Sequence, residues 1–568
     1  MKKILLFILV IIAFISCQQG SESTEEEQST TIELDLPERP NILWLVAEDL
    51  GPYLPSFGDS TITTPNLSRL AAEGVCYDNV FSPSPVCSPS RAAISTGMYP
   101  VTIAANHMRT GPWYMSGLPE KTIKEYTEKY LPKEIQSYEA QTPPSIKMMS
   151  EYLREIGYYC TNNAKEDYQY QKTITAWDES SRTAHWKNRK EGQPFFAIFN
   201  YGVTHESQIW GRAEDSLWVD ENLEVPVPPY LPDNEVGQRD VRRMYSNIRM
   251  MDHQVGQMLQ ELEDAGELEN TIIVWYTDHG GPLPRQKRLL YDSGLRVPMI
   301  IRYPNKQAAG QRDDQLISFI DFAPTTLSLV GIQPPAEMNG QAFLGKYKRT
   351  ENPKYIFAAA DRFDESYDKN RAVRDKQFKY IRYYNTEKPM FLPIGYREQM
   401  AVMQELHRLK EAEELTEAQA LWFRATKPKE ELFDITNDPH EINNLANDPK
   451  YANKLKELRT ANEQWQKDYV DLGMMEETAL LKKLWQDGKQ PVVATPTIIN
   501  ENGKISLATT TEGASIGYKI IQDDVEYDKP FGDWMVYTEP FELPEGAGLK
   551  VVADRIGYKI SEVNHFEK

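Results

Sequence analysis

From Asn41 onward the chain alternates two kinds of hydrophobic pattern. NILWLVA, Asn41 to Ala47, is a continuous apolar run, as expected for a strand covered on both faces. Thr64-Pro65 then opens a segment in which Leu67, Leu70 and Ala71 recur at helical spacing, and Gly74 stops it. The alternation repeats. PPSIKMMSEYLREIG precedes YYCTN, FFAIFN is a further apolar run, and a long helix around Arg242 to Ala265 precedes TIIVWYT. In that helix Ile248, Met251, Val255, Leu259 and Leu262 form one apolar stripe, so its methionines read as core rather than cofactor contacts. Strands and helices in this order predict an α/β domain with a mostly parallel sheet.

Beyond this domain the pattern changes twice. Tyr396 to Leu421, with EQMAVMQELHRLKEAEELTEAQ, is charged and helix-prone; it reads as an insertion over a smaller C-terminal subdomain, its charges facing solvent. Asn447 to Gly473 predicts another helix. After Lys489 short alternating runs, turns and β-branched residues predict a small β-sandwich, with G-Y-K-I occurring at both Gly517 and Gly557. That domain reads as a structural prop or a carbohydrate contact. At the other end, Lys2 and Lys3 precede twelve apolar residues, Ile4 to Ile15, and then Ser16 and Cys17. Twelve are too few to cross a bilayer, which needs ~20, but they suit a secretion signal.

The resulting organisation is a signal over 1–17, an acidic flexible tether over 18–38, an α/β domain over 39–350, the smaller subdomain with its helical insertion over 351–489, and the sandwich over 490–568. The formal net charge of −21 excludes a general nucleic-acid binder, because nothing attracts phosphates overall. An anionic substrate therefore requires a local cluster of cations or a metal. Besides Cys17 the chain has Cys76, Cys87 and Cys160; three is odd, so at least one is unpaired within a single chain.

Three predicted strands end in polar residues: Glu48-Asp49, Thr204-His205-Glu206 and Asp278-His279-Gly280. Open α/β sheets bind ligands outside the carboxyl ends of their strands, so these groups share one rim. Two acidic pairs there suit a hard divalent cation such as Ca²⁺. Cys87, in SPVCSPSRAAISTG, stands just ahead of a predicted helix, and its residue type leaves four roles open: small hydrophobe, disulfide half, metal ligand or nucleophile precursor.

C-S-P-S-R followed by A-A-I-S-T-G resembles the signature of type I sulfatases, whose cysteine is oxidised after translation to formylglycine. YTDHGGPLPRQKRLLYDSGLRVP is similar to the second sulfatase region, and LFDITNDPHEINNLA to the family's C-terminal signature. The resemblance spans roughly residues 39 to 450 and implies an alkaline-phosphatase-like sheet flanked by helices, with a smaller C-terminal α+β subdomain and an appended β-sandwich. It also supplies a physical role for Cys87. A serine or thiol that attacked a sulfate ester would leave an enzyme ester needing a second difficult displacement. A hydrated aldehyde avoids this: one hydroxyl attacks sulfur, and the other later expels sulfate by collapse to the aldehyde. A bound metal favours the ionised diol.

By the same resemblance, Glu48, Asp49, Asp278 and His279 hold the metal together with the Cys87-derived group. The metal is expected to be Ca²⁺, with Mg²⁺ as the alternative. Glu48 stands where the family usually has aspartate, and His279 where asparagine is common. Arg91 matches the arginine that orients the formylglycine hydrate, while Lys165 and Lys287 match the two sulfate-binding lysines. His205 matches the histidine facing the leaving oxygen. Many sulfatases continue K-x-H after the first lysine, whereas this chain has Lys165-Glu166-Asp167; a carboxylate cannot donate a proton at neutral pH without a large upward shift. His107, Arg109 and Arg362 are candidate readers of a sugar.

These matches predict a sulfatase acting on a sulfated oligo- or polysaccharide, including algal polymers such as ulvan. The rivals are a phosphodiesterase or phosphonate hydrolase of the same superfamily and a non-catalytic glycan-binding lipoprotein. A formylglycine-generating or sulfatase-maturing enzyme is an expected partner. F-I-S-C resembles a lipobox, implying an exported protein lipid-anchored to the outer membrane, facing periplasm or cell surface; ordinary cleavage would leave it soluble in the periplasm.

Overall fold

The computed structural model describes residues 34–111, 135–486, 488–521 and 534–566, together with positions 119, 121, 122, 124, 125, 128 and 131. The signal at 1–17 and the tether up to residue 33 lie outside the described residues. Contacts divide the chain into Met1–Asp35 and one compact unit, Leu36–Lys568.

The central sheet of that unit has nine strands: β1 Asn41–Ala47, β2 Val75–Phe81, β3 Tyr159–Asn163, β4 Glu179–Ser180, β5 Phe195–Tyr201, β6 Thr271–Thr277, β7 Arg296–Arg302, β8 Gln311–Asp313 and β9 Ile317–Ser318. Their order is β4-β3-β5-β1-β6-β7-β2-β8, with β9 also on β2. β1 runs parallel to both β5 and β6 at the centre, and every residue of β1 is buried. Both faces are covered. Leu43, Leu45 and Ala47 join the stripe Ile248, Met251 and Val255 in one core, while Trp44 on the other face packs edge-on against Phe196, Tyr276 and Phe322. Two-sided burial is why the strand reads as an unbroken apolar run.

β7 departs from the parallel pattern, pairing antiparallel with both β6 and β2. The connection from β6 to β7 thus makes no crossover, and the segment carrying Lys287 stays on the rim where β6 ended. The long helix spans Glu235–Asp264, starting earlier than its apolar stripe. Its start is set by Asn234, whose Oδ1 accepts the N–H groups of Val236 and Gly237, each at 3.1 Å.

The smaller subdomain is a four-stranded antiparallel sheet of Ile356–Ala360, Asn370–Arg374, Phe378–Tyr383 and Glu430–Asp434. Helix Ala452–Asp468 covers it through Leu455 and Leu458. In the insertion, helix Ala401–Glu411 buries Val402, Met403 and Leu406 and also grips the catalytic domain: the Val402 N–H donates to Asp240 at 2.8 Å and Asn234 to Glu405 at 2.8 Å. It joins the long helix to the subdomain rather than covering the subdomain alone.

After residue 490 two antiparallel sheets of three and four strands enclose one core of Ile505, Leu507, Ile516, Leu549, Val551 and Ala553. The two G-Y-K-I copies are not equivalent, since Gly517 lies within strand Ser515–Ile521 and Gly557 turns at φ 83°. A Cβ at Gly557 would stand 2.4 Å from the Ala140 carbonyl oxygen, so glycine lets the sandwich seat closely on the catalytic domain.

Candidate active site

The register Ala47↔Thr277 between β1 and β6 places Glu48-Asp49 beside Asp278-His279. Asp49 adopts φ 48°, a left-handed conformation that aspartate tolerates better than most residues, and its N–H donates to Asp278 Oδ1 at 3.1 Å. The chain thereby turns at the strand end with both carboxylates inside. Helix Cys87–Thr96, buried throughout, starts at this point. Its first residue brings Sγ to 3.3 Å from His279 Nε2 and 3.8 Å from Asp49 Oδ1.

One turn on, Arg91 faces the same way. Its Nε and a second guanidinium nitrogen reach Asp278 Oδ2 at 3.1 and 3.0 Å, and another donates to Asn200 Oδ1 at 2.7 Å. Lys165, following β3, donates to Glu48 Oε2 at 2.6 Å. Lys287 donates to Asp49 Oδ2 at 2.7 Å and Glu206 Oε1 at 3.0 Å, and lies 3.3 Å from His205 Nε2. The Ser207 N–H donates to His205 Nδ1 at 3.2 Å. Both ring nitrogens of His205 therefore face donors, Nδ1 the Ser207 N–H and Nε2 the Lys287 ammonium.

The charges oppose burial. Desolvation alone would raise the carboxyl groups, but Lys287, His205 and His279 hold Asp49 well below its usual range, and His279, Arg91 and Lys165 do the same for Asp278. Burial would likewise raise the Cys87 thiol, yet Lys165 and Lys287 pull it down to about 7. Asp49, Cys87, Asp278 and His279 each offer a ligand atom within 4.8 Å of one another. Oδ1 of Asp49 and of Asp278 stand 3.0 and 3.8 Å from His279 Nε2. Two buried, ionised carboxylates converging on one point fit a hard divalent cation. Burial would lower His279, but Asp278 and Asp49 raise it to about 10, so its ring joins them as a ligand only by giving up its proton as the cation arrives. Glu48 belongs to an adjoining group with Asp49, Cys87 and His205, where its longer side chain meets Lys165.

All nine residues predicted for catalysis or metal binding thus meet in one buried cluster. The three sugar-reader candidates are neighbours but differ in exposure. His107 is fully buried, its Nδ1 accepts the Arg362 N–H at 3.2 Å, and burial pushes it down to about 4. Arg362 is 1 % exposed and bound by two nitrogens to Glu477 at 2.8 and 2.6 Å. Both tie chain segments together in this structure. Arg109 is partly exposed, standing 3.4 Å from Asp167 and 3.6 Å from Asp364. Burial would raise Asp167, but Arg109 and Lys165 lower it; it accepts from Ser88 at 2.6 Å and is a carboxylate, not a proton donor.

Sequence reasoning missed a chain of charges around this cluster. Glu206 accepts from Lys287 and also from two nitrogens of Arg288 at 2.9 and 2.8 Å. Arg288 in turn reaches Asp364 at 3.1 Å, and Asp364 faces Arg109. Glu206 was legible at its strand end beside His205, Arg288 beside Lys287, and Asp364 in the D-R-F-D segment after the strand Ile356–Ala360; that they pair with one another was not.

This arrangement, a buried metal-fitting cage beside a low-pKa cysteine and two lysines on an α/β rim, defines a hydrolase for tetrahedral anions. A sulfatase family profile matches residues 40–332, and one for the C-terminal region of N-sulphoglucosamine sulphohydrolase matches 285–421. An ulvan-active sulfatase of Formosa agariphila is 49% identical, covering 98% of this chain and 96% of that one. The chain belongs to the sulfatase family and is a sulfuric ester hydrolase. Among solved structures, a 2-O GAG sulfatase superposes with a TM-score of 0.54 at 19% identity, covering 76% of this chain and 93% of that one. A phosphonate monoester hydrolase from Silicibacter pomeroyi superposes at 0.50 and 16%, covering 77% and 97%. The fold is therefore shared across both chemistries, and the fold alone does not select sulfate.

Proposed function

We propose that the protein removes sulfate from a sulfated saccharide, with ulvan as the polymer, using formylglycine made from Cys87 and a divalent cation, Ca²⁺. The observation that carries this is the convergence of Cys87, Asp49, Asp278, His279 and Lys287 within hydrogen-bonding distances at one rim. The relative named for ulvan supports the substrate through its 49% identity over nearly the whole chain.

Asp49, Asp278 and His279 would hold the cation, with Glu48 beside them, and the cation would supply positive charge favouring an ionised hydroxyl. Formylglycine, made by a maturing enzyme, would supply a geminal diol as nucleophile. The remaining work falls to side chains already in place. Lys165, Lys287 and Arg91 give the sulfate oxygens the positive surroundings that a chain of net charge −21 lacks overall. Donors fixed in advance around developing charge are usually the largest catalytic contribution. His205, facing the leaving sugar oxygen, would donate a hydrogen bond to it or, as imidazolium, the proton it needs to depart. The leader and Cys17 support export and lipid anchoring at the outer membrane.

The test is expression with a formylglycine-generating enzyme. The Cys87 peptide should lose about 18 Da, as expected when an aldehyde replaces the thiol carbon, and sulfate release from ulvan oligosaccharides should scale with the modified fraction. Chelation should abolish release and Ca²⁺ restore it. Full release by Cys87→Ala would overturn the mechanism, and cleavage of phosphonate esters in preference to sulfate esters would overturn the substrate class.

A further inference from the structure

Two aromatic rings meet at a corner beside His205. Trp210 lies on the short helix Ser207–Gly211, which begins just past His205. Its ring packs edge to face with Tyr396, centroids 5.1 Å apart and planes at 76°. Tyr396 also stands 6.0 Å from the His205 ring at 65°, and the Ser207 hydroxyl is 2.9 Å from His205 Nδ1. Tyr396 enters from the helical insertion, far along the chain. Both rings are only half-buried, in contrast to core aromatics such as Trp275 at 0% and Trp186 at 2% exposure.

We propose that the corner made by Trp210 and Tyr396 is the subsite for the sugar ring that carries the sulfate ester, an inference that rests on the sulfatase reading of the site. The geometry requires a sugar near this place. If sulfate lies among Lys165, Lys287 and Arg91 and His205 faces the leaving oxygen, the ring attached to that oxygen extends past His205 by about one ring's breadth. A pyranose has an apolar C–H face and polar edges. The C–H face suits an aromatic wall, while its hydroxyls turn toward Arg109, the partly exposed member of the group it forms with the buried Asp167 and Asp364. Few polar groups set among aromatic surfaces is the usual composition of a small-molecule site. Two rings near a right angle accept a sugar in few orientations, so the corner selects as well as binds.

The experiment compares formylglycine-bearing wild type, Tyr396→Ala, Trp210→Ala and Tyr396→Phe on two substrates: ulvan oligosaccharide and ethyl sulfate, a sulfate ester without a ring. Each alanine variant should raise KM for the oligosaccharide about five- to tenfold, lowering the kcat/KM ratio of oligosaccharide to ethyl sulfate by a similar factor. Tyr396→Phe, which keeps the ring, should restore most of that loss. A second arm removes turnover altogether. Unmodified Cys87→Ser protein is titrated with ulvan oligosaccharide that has been chemically desulfated, and adding Tyr396→Ala should weaken that binding by the same factor. The subsite is overturned if the alanine variants slow both esters equally, or if desulfated oligosaccharide binds Cys87→Ser and its Tyr396→Ala derivative alike. Desulfated sugar that binds through Tyr396 to a protein releasing sulfate from no ester would leave the subsite standing and overturn the proposed function.

Discussion

Asp278 on the catalytic rim and Asp554 under the β-sandwich are the same residue type, both buried, and their carboxyl groups shift in opposite directions. Asp278 touches Arg91 through two nitrogens and is held below the usual range. Asp554 accepts only backbone N–H groups, from Ile174 and Arg555, each at 2.8 Å, and burial pushes it up to about 8. Glu139 nearby follows Asp554: it accepts from the Gln171 N–H and the Gln490 amide, and rises to about 7. Burial raises every one of these groups, and only an adjacent cation reverses it. The rim therefore keeps its acids ionised for a cation, while the sandwich seat shifts its acids toward the protonated, neutral form.

The largest expected effect comes from removing a rim cation. Lys287→Met should lower sulfate release about 10²- to 10³-fold, the usual loss when one preorganised donor is deleted, measured at equal formylglycine content; a loss below tenfold would show that the rim's charge balance tolerates the change. Next comes a buried pair outside the rim. Arg362→Ala leaves Glu477 unpaired and should cost about 3–5 kcal/mol in urea unfolding, with KM for the oligosaccharide little moved. A large rise in KM without loss of stability would instead make Arg362 a sugar reader. Taken per pH unit, the smallest effect belongs to the sandwich seat. Because Asp554 is raised in the folded state, its contribution to stability is fully present below its ordinary carboxylate range and is lost as pH rises through about 8. Stability should fall from pH 5 to pH 9, and Asp554→Asn should flatten that slope by at most ~1.4 kcal/mol per pH unit, read from urea midpoints across the range. An unchanged slope would place the titrating group elsewhere.

Local periodicity carried the central strands, the helix ends at Pro65 and Gly74, and the acids and imidazoles at the strand termini. Each of those depends on residues within a turn or a strand length. Cys87 and Arg91 were legible because C-S-P-S-R resembles the sulfatase signature, and their four-residue spacing puts them on one helix face. What periodicity cannot express is which distant group a buried charge meets. Arg362 and His107 resemble pocket residues until the fold sets Glu477 on Arg362 and a backbone N–H on His107. The link from Glu206 through Arg288 to Asp364 joins three separate segments, and the insertion shows its helical pattern in sequence without showing that Tyr396 ends beside His205. The sequence by itself determined the elements, since short-range sterics and apolar spacing decide them, and its resemblance to the sulfatase signatures singled out the candidate reacting groups. Tertiary structure alone decided which charges are paired and which remain available to a substrate, because a desolvated ion is settled by partners that only packing brings within about 3–4 Å.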